Sequence, residues 1–177
     1  ALTILLTLTL GVIAGLIAGI GTSLMLYLYR TSKPNMAIVG QIPGTQHFRN
    51  IERHEVITDS QMVSLRMDES LYFPNARFLE NKVNEMVAQY PEMKHFILMC
   101  SAINSIDASG LESLKAINQR LADSGIIFHL SELKGPIMDR LKKTNFYEEL
   151  KGRIHLTQYD AVLTINSYLA PQTLENK

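Results

Sequence analysis

Three features of the composition constrain this chain before any motif is considered. It has no tryptophan, a single cysteine, Cys100, and equal numbers of basic and acidic residues, 17 of each. One cysteine excludes an intrachain disulfide framework and is typical of a reducing compartment. The balanced charge, with no long block of one sign, argues against a nucleic-acid partner, because phosphates would require a basic face.

Charge is also missing from the first 29 residues, and it begins at Arg30. A hydrocarbon core roughly 30 Å thick needs about 20 apolar helical residues, so this run is long enough to span a bilayer. It has neither a basic region before it nor a clear small-residue cleavage site, which argues against a signal peptide. We therefore predict a transmembrane helix over residues 1–30. Arg30 and Lys33 then place the following domain in the cytoplasm by the positive-inside rule.

Small residues recur inside the apolar run. Gly11, Gly15 and Gly19 are spaced four residues apart, which places them on one face of a helix. Such a face lets another helix approach closely, so one interpretation is a helix packed inside a larger membrane domain, with lipid as its other neighbour. The alternative is a lone anchor that is rich in glycine. We favour the packed helix, since each glycine costs about 1 kcal/mol of helix propensity.

The remaining chain alternates between strand and helix patterns. Apolar runs or alternation predict strands over 36–39, 61–67, 95–103, 126–130 and 153–156. Helical spacing predicts helices from a cap at Asn75 to Tyr90, over 110–123, over 136–143, and after a cap at Asp160. Strands that alternate with helices predict an α/β fold with a mostly parallel sheet, here over residues 31–170. Residues 171–177 are predicted to be a flexible tail.

One segment between a strand and a helix carries a recognisable motif. Asp107-Ala108-Ser109-Gly110 resembles the signature of STAS domains, which sulfate transporters share with anti-sigma-factor antagonists. The resemblance to the SulP anion-transporter version extends over the whole chain. It is carried by four further segments: residues 40–45 (GQIPGT), 71–76 (LYFPNA), 100–102 (CSA) and 129–136 (HLSELKGP).

This resemblance implies a fold and a function. The fold would be a STAS-type mixed or mostly parallel sheet with helices packed on it, preceded by one transmembrane helix. The chain would be the last membrane helix and the cytoplasmic regulatory domain of a multi-pass transporter of the cell (inner) membrane. Such proteins move sulfate, bicarbonate, dicarboxylates or related anions, and the full-length protein would be a homodimer. Its partners would be the rest of the transport domain and a cytoplasmic protein or nucleotide at the STAS surface.

An alternative with no transport role also follows from the resemblance. This alternative is a membrane-tethered STAS switch protein of the anti-sigma-factor-antagonist type. In those antagonists the serine at the position of Ser109 is phosphorylated, and a phosphate at a helix N-terminus is favourable there. The structural interpretation makes Ser109 and Glu112 a capping box, which is the commoner use of such a pattern. For Asp107, holding the loop is the favoured interpretation, ahead of repelling the wrong anion.

The other chemically capable residues predict no catalytic or metal site. His47, His54, His95, His129 and His155 lack metal-ligand spacing, and Cys100 is expected to be a packed thiol. Arg140, Lys142 and Lys143 form a basic cluster that either is a solvated helix end or contacts lipid headgroups or nucleotide phosphate. No phosphate-binding loop or acid–base pair is visible. We therefore predict a protein that is not an enzyme and has no cofactor.

Overall fold

The computed structural model describes residues 4, 7, 11–150 and 153–169. The chain divides into two compact units, Ala1–Pro34 and Asn35–Lys177. The predicted tail, residues 171–177, lies outside the described residues. Most of the segment before Gly11 also lies outside the described residues. Of the predicted membrane helix, residues 1–30, the structure therefore describes mainly the part from Gly11 onwards.

Among the residues of the first unit that the structure describes, Val12–Ser32 form a long helix, α1. It is long and apolar enough to cross a membrane, judged by length and composition. Its large side chains are exposed around the helix, including Ile13, Met25 and Tyr27. Gly11 precedes α1 with a φ of 91°, so of the three predicted glycines only Gly15 and Gly19 belong to this helix. The side chain of Thr7 lies against Gly15 and leaves no space for a Cβ atom there.

The second unit is built on a six-stranded sheet with the order β2-β1-β3-β4-β5-β6. Strands β3 to β6 are parallel, whereas β1 pairs in antiparallel fashion with both β2 and β3. The sheet is therefore mixed, which is one of the two sheet types that the resemblance to STAS domains implied. Its strands are Met36–Gln41 (β1), Phe48–Asn50 (β2), Met62–Met67 (β3), His95–Met99 (β4), Ile127–Ser131 (β5) and Ile154–His155 (β6).

In the described part of the second unit, five helices accompany the sheet: Phe73–Gln89 (α2), Ala108–Asp123 (α3), Gly135–Leu141 (α4), Asn145–Glu149 (α5) and Gln158–Leu169 (α6). The sequence missed α5 and β2, because both are too short to show a periodic pattern. It also misplaced two caps. Asn75 lies inside α2 and accepts a hydrogen bond from the Tyr72 backbone N–H, and α6 begins before Asp160, whose N–H donates to Thr157 Oγ1.

The main core lies between the sheet and the pair α2 and α3. Alternate residues of the parallel strands point to this side, and Phe96 on β4 stacks on Phe128 of β5 with ring centroids 5.8 Å apart. The helices contribute their apolar faces, Leu79, Val83 and Met86 from α2 and Leu114, Ile117 and Leu121 from α3. Burial of these side chains is the dominant force that holds both helices on the sheet.

A second, smaller core lies on the opposite face under α6. Ile97 and Met99 of β4 pack there against Ala161, Val162 and Ile165 of α6. A buried polar contact supplements the apolar ones: Gln158 accepts from Ser131 Oγ at 2.6 Å and donates to Ser64 Oγ at 2.8 Å. One residue at the start of α6 is thereby attached to both β3 and β5.

Candidate functional site: the loop before helix α3

The motif loop, residues 105–110, follows β4 and lies beside the chain that leads into α2. Leu71 and Ile106 form an isolated parallel bridge between the two segments. The Leu71 N–H donates to Ser105 O at 3.0 Å, and the Asp107 N–H donates to Leu71 O at 3.2 Å. Backbone hydrogen bonds therefore hold the two segments together before any motif side chain is considered.

Asp107 connects the two helix N-termini. Its Oδ1 accepts a hydrogen bond from the Gly110 N–H at 2.7 Å, which makes Asp107 the N-cap of α3. Its Oδ2 accepts from the N–H of Phe73, the first residue of α2, at 3.0 Å. The carboxylate thus satisfies donors that both helices would otherwise leave unpaired. This geometry agrees with the loop-holding interpretation of Asp107.

Ser109 does not have the role of a cap. It is the second residue of α3, and the capping box expected at Ser109 and Glu112 is absent because Asp107 already occupies the cap position. Glu112 instead pairs with Lys115 at 2.8 Å. Ser109 is half-buried, and within the described chain its hydroxyl has no hydrogen-bond partner. The hydroxyl is therefore free for another contact in the first turn of α3, where Ala108 is exposed beside it.

Gly110 is required for the close contact between the two segments. It is buried, and a Cβ atom there would lie 2.7 Å from the carbonyl oxygen of Leu71. Only a residue without a side chain lets α3 begin this close to Leu71. The motif therefore combines a helix-capping carboxylate, a free hydroxyl and a close backbone approach.

A shallow groove between α2 and α3 passes Ser109. It is lined by Phe73, Ala76, Arg77 and Glu80 from α2 and by Ala108, Ser109, Glu112 and Ser113 from α3. Phe73 is 75% exposed, which is unusual for a large aromatic side chain at a tightly held helix start. Deeper in the groove, Ser113 Oγ donates to Glu80 at 2.6 Å and fixes the two helices relative to each other.

The other side of the loop borders a smaller groove that involves Arg140. Ile106, Leu111, Ile137 and Leu141 give this groove an apolar lining, and Arg140 is exposed at its edge. Lys142 and Lys143 are exposed as well, in agreement with a solvated helix end. Charged side chains of both signs line each groove, Asp107 and Arg140 in this one and Arg77, Glu80 and Glu112 in the groove between α2 and α3.

Comparison with known proteins identifies the family. The family model described as "STAS domain" matches residues 50–161, which is more than half of the chain. The chain belongs to the STAS domain family. The match covers the sheet from the end of β2 onwards, the motif loop and the first turn of α6.

Several curated relatives of this STAS domain are named as sulfate transporters. Sulfate transporter 3.2 of Arabidopsis thaliana is 28% identical over 84% of this chain, and 25% of that protein is covered. High affinity sulfate transporter 2 of Stylosanthes hamata is 25% identical over 85% of this chain and 24% of its own length. The chain thus spans about a quarter of the length of these relatives. The similarities support a STAS domain of the SulP type.

Solved structures share the fold. The murine Solute Carrier 26 family member A9 anion transporter, in its inward-facing state, matches with a TM-score of 0.81 and 18% identity, covering 94% of this chain and 28% of that one. A putative anti-sigma factor antagonist from Thermotoga maritima matches with a TM-score of 0.54 and 23% identity, covering 62% and 91%. At these identities the matches show the fold alone.

The STAS domain contains one arrangement that the sequence analysis missed. The three buried histidines, His95, His129 and His155, form a hydrogen-bonded chain across β4, β5 and β6. In sequence they are 34 and 26 residues apart, so only the strand order brings them together. Within the described residues, no three histidine, cysteine, aspartate or glutamate side chains are arranged to hold a metal ion.

Cys100 lies directly after β4 and is 1% exposed. Its Sγ donates to Leu98 O at 3.4 Å, and burial, followed by the nearby charge of Glu132, raises the pKa of the thiol well above its ordinary value. A thiol of this kind is packed and unreactive, because the thiolate is the nucleophile.

Proposed function

We propose that this chain is the last membrane helix and the cytoplasmic STAS domain of a SulP-like secondary anion transporter in the cell membrane. The observation that carries the proposal is the direct succession of an exposed apolar helix, Val12–Ser32, and a STAS fold that begins with β1 at Met36. The sulfate-transporter names of the relatives support sulfate or a related anion as substrate.

The STAS domain would act as a regulatory module through the groove between α2 and α3. Exposed aromatic side chains are enriched at protein interfaces, and Phe73 presents most of its ring at the mouth of the groove. The loop beneath it is fixed by Asp107 and by the Leu71 backbone, so the surface is preorganised for contact. The partner would be the transport domain itself or a cytoplasmic protein.

Ser109 is the residue through which this surface would be regulated. Its hydroxyl lies in the first turn of α3, where added negative charge is stabilised by the helix dipole and by free N–H groups. Arg77 lines the same groove and offers a cation to a phosphoserine, whereas Glu80 and Glu112 oppose it. A modification here would change the charge of the groove without removing the Asp107 cap.

Transport is tested with the intact full-length protein in proteoliposomes, against empty vesicles, with sulfate, bicarbonate and dicarboxylates as substrates. Uptake of at least one of these anions is the expected result. Absence of uptake of all three, together with a co-purifying kinase, would instead favour the membrane-tethered switch protein. The fold-level similarity to the Thermotoga maritima antagonist is the observation behind that second candidate.

The regulatory role is tested by Ser109→Asp and Ser109→Ala in the same full-length protein. Ser124→Asp is the matched control, because it places the same charge at the opposite end of α3, where Ser124 is the C-cap. We expect Ser109→Asp to change the uptake rate or partner retention severalfold while Ser109→Ala and Ser124→Asp stay near wild type. If Ser109→Asp matches wild type at equal expression, the regulatory role of Ser109 is wrong.

A further inference from the structure

Three imidazoles form a diagonal chain on the α6 side of the sheet, which we name the histidine ladder: His95, His129 and His155. His95 Nδ1 lies 3.1 Å from His129 Nε2, and His129 Nδ1 lies 3.1 Å from His155 Nε2. His129 is opposite Ile97 and His155 is opposite Ser131, so each member is displaced two positions along the strands from the one before. The three side chains are 4–9% exposed.

The ladder has a fixed capacity for protons. A neutral imidazole carries one N–H, and each gap between neighbouring rings holds one hydrogen when it forms a hydrogen bond. The only other ring nitrogens of the ladder that can carry a hydrogen are the two outer ones, His95 Nε2 and His155 Nδ1. Both hydrogen bonds therefore survive the addition of one proton to three neutral rings. A second added proton places two N–H groups in one gap, where they repel each other.

Charged groups surround the ladder mainly at its ends. Burial lowers the pKa of all three rings, and that of His129 falls to about 3. Lys94 lowers the pKa of His95 and Asp59 raises it, while Asp160 on α6 raises that of His155. Arg153 and the two outer histidines lower the pKa of His129 further. Glu132 faces the N-terminus of α6, where its Oε1 accepts from the Gln158 N–H at 3.4 Å.

The sign of the pH effect follows from these shifts. An unfolded or released histidine titrates near 6.5, and the pKa of each ladder histidine in the fold is lower. The released state therefore binds more protons at acid pH. The ladder contributes stability above about pH 6.5, and this stability is lost as the pH falls towards the pKa values in the fold.

Of the three strands that carry the ladder, the edge strand β6 is paired at the fewest positions. It pairs with β5 at only two positions, whereas β3–β4 and β4–β5 pair at five positions each. Helix α6 follows β6 directly and packs on β4, β5 and β6. Opening the gap between His129 and His155 therefore separates β6 from β5, where the strand pairing is shortest.

We propose that the histidine ladder is a proton-counting conformational switch, which tolerates one added proton and releases β6 and α6 from β5 when it takes a second. The released state exposes Ile97 and Met99 of β4, which α6 covers in the structure described above. The strands β1, β3 and β4 keep their pairing and the main core under α2 and α3.

The first test is amide hydrogen exchange of the full chain in detergent micelles between pH 7.5 and 4.5, expressed as protection factors. We expect protection of residues 154–167 to fall by more than about tenfold per pH unit, because more than one proton is taken up. Protection in β1 and β3 is expected to change less than about twofold. A slope of tenfold or less, or an equal loss in every strand, overturns the proposal.

Two variants assign the effect to the ladder. His129→Gln keeps a donor and an acceptor between the outer rings but cannot titrate, so the steep loss of protection should disappear. The double variant His47→Gln/His54→Gln removes the two exposed histidines outside the ladder and should leave the steep loss unchanged. Persistence of the transition in His129→Gln, or its loss in the double variant, contradicts the proposal.

A measurement on the unaltered protein covers the case in which His129→Gln does not fold. The imidazole nitrogens of ¹⁵N-histidine-labelled chain are followed by NMR over the same pH range. We expect the three ladder rings to titrate together at the midpoint of the exchange transition. Independent titration of the ladder rings, away from that midpoint, overturns the proposal.

Discussion

Asp107 Oδ2 accepts a hydrogen bond from the backbone N–H of Phe73 at 3.0 Å, across 34 residues of sequence. The same carboxylate caps α3 through Gly110. One side chain therefore binds the first turns of two helices and ties together the two sides of the groove between them. Its loss would affect the shape of the groove as well as the stability of the fold.

Replacing Asp107 by alanine should lower the free energy of unfolding by about 1–2 kcal/mol, since a helix cap and a second hydrogen bond are lost. Asp107→Asn keeps an oxygen acceptor and should cost about half as much. Urea unfolding of the full chain in micelles, followed by circular dichroism, measures both. If both variants are as stable as wild type, the shared cap contributes nothing and the interpretation of the loop is wrong.

Gly110→Ala should destabilise the fold by about 1–3 kcal/mol, because the new Cβ atom would meet the Leu71 carbonyl oxygen and force the loop apart. Gly135→Ala is the matched control at the start of α4, where a Cβ atom meets nothing within 4 Å. That variant should be neutral or up to about 1 kcal/mol more stable. Equal unfolding midpoints for the two variants would show that the close approach at Gly110 is unimportant.

Gln158→Met should cost about 2–3 kcal/mol, since it leaves the buried hydroxyls of Ser64 and Ser131 without their partner. The triple variant Ser64→Ala/Ser131→Ala/Gln158→Met removes the unpaired groups as well and should recover part of this loss. Denaturant titration of the two variants and wild type provides the comparison. A triple variant that is less stable than Gln158→Met would contradict this account.

Cys100 should react with a thiol reagent such as dithionitrobenzoate at least about 100-fold more slowly in the folded chain than in urea. The reason is its burial together with its raised thiol pKa. The rate of absorbance change at pH 8 measures the reaction, with the urea-unfolded chain as the reference. Fast labelling of the folded chain would mean that β4 and the following turn open readily.

The long periodic segments could be predicted from the sequence because burial has a regular spacing. The apolar run of β4 and the helical faces of α2 and α3 carried enough signal to place them within a few residues. The strand β2 and the helix α5 are short, and they depend on contacts with β1 and with the main core. Local sequence contains no information about those contacts.

The sequence singles out the motif loop, but it does not contain the geometry of that loop. Asp107 and Ser109 are both good N-cap residues, and a choice between them requires the Phe73 N–H, which comes from a distant segment. The histidine ladder was missed for the same reason. Its members have no short spacing in sequence, and they meet only because the sheet places β4, β5 and β6 side by side.

Strand β1 lies between β2 and β3, although it is the first strand of the sheet in sequence. Residues 33–35 join it to the end of α1, so any tension along this connection acts on a strand that is paired on both sides. Extraction of β1 would have to break two sets of strand pairings, whereas an edge strand has only one. The connection is therefore mechanically suited to carry a pull into a strand that lies one position in from the edge of the sheet, without detaching that strand.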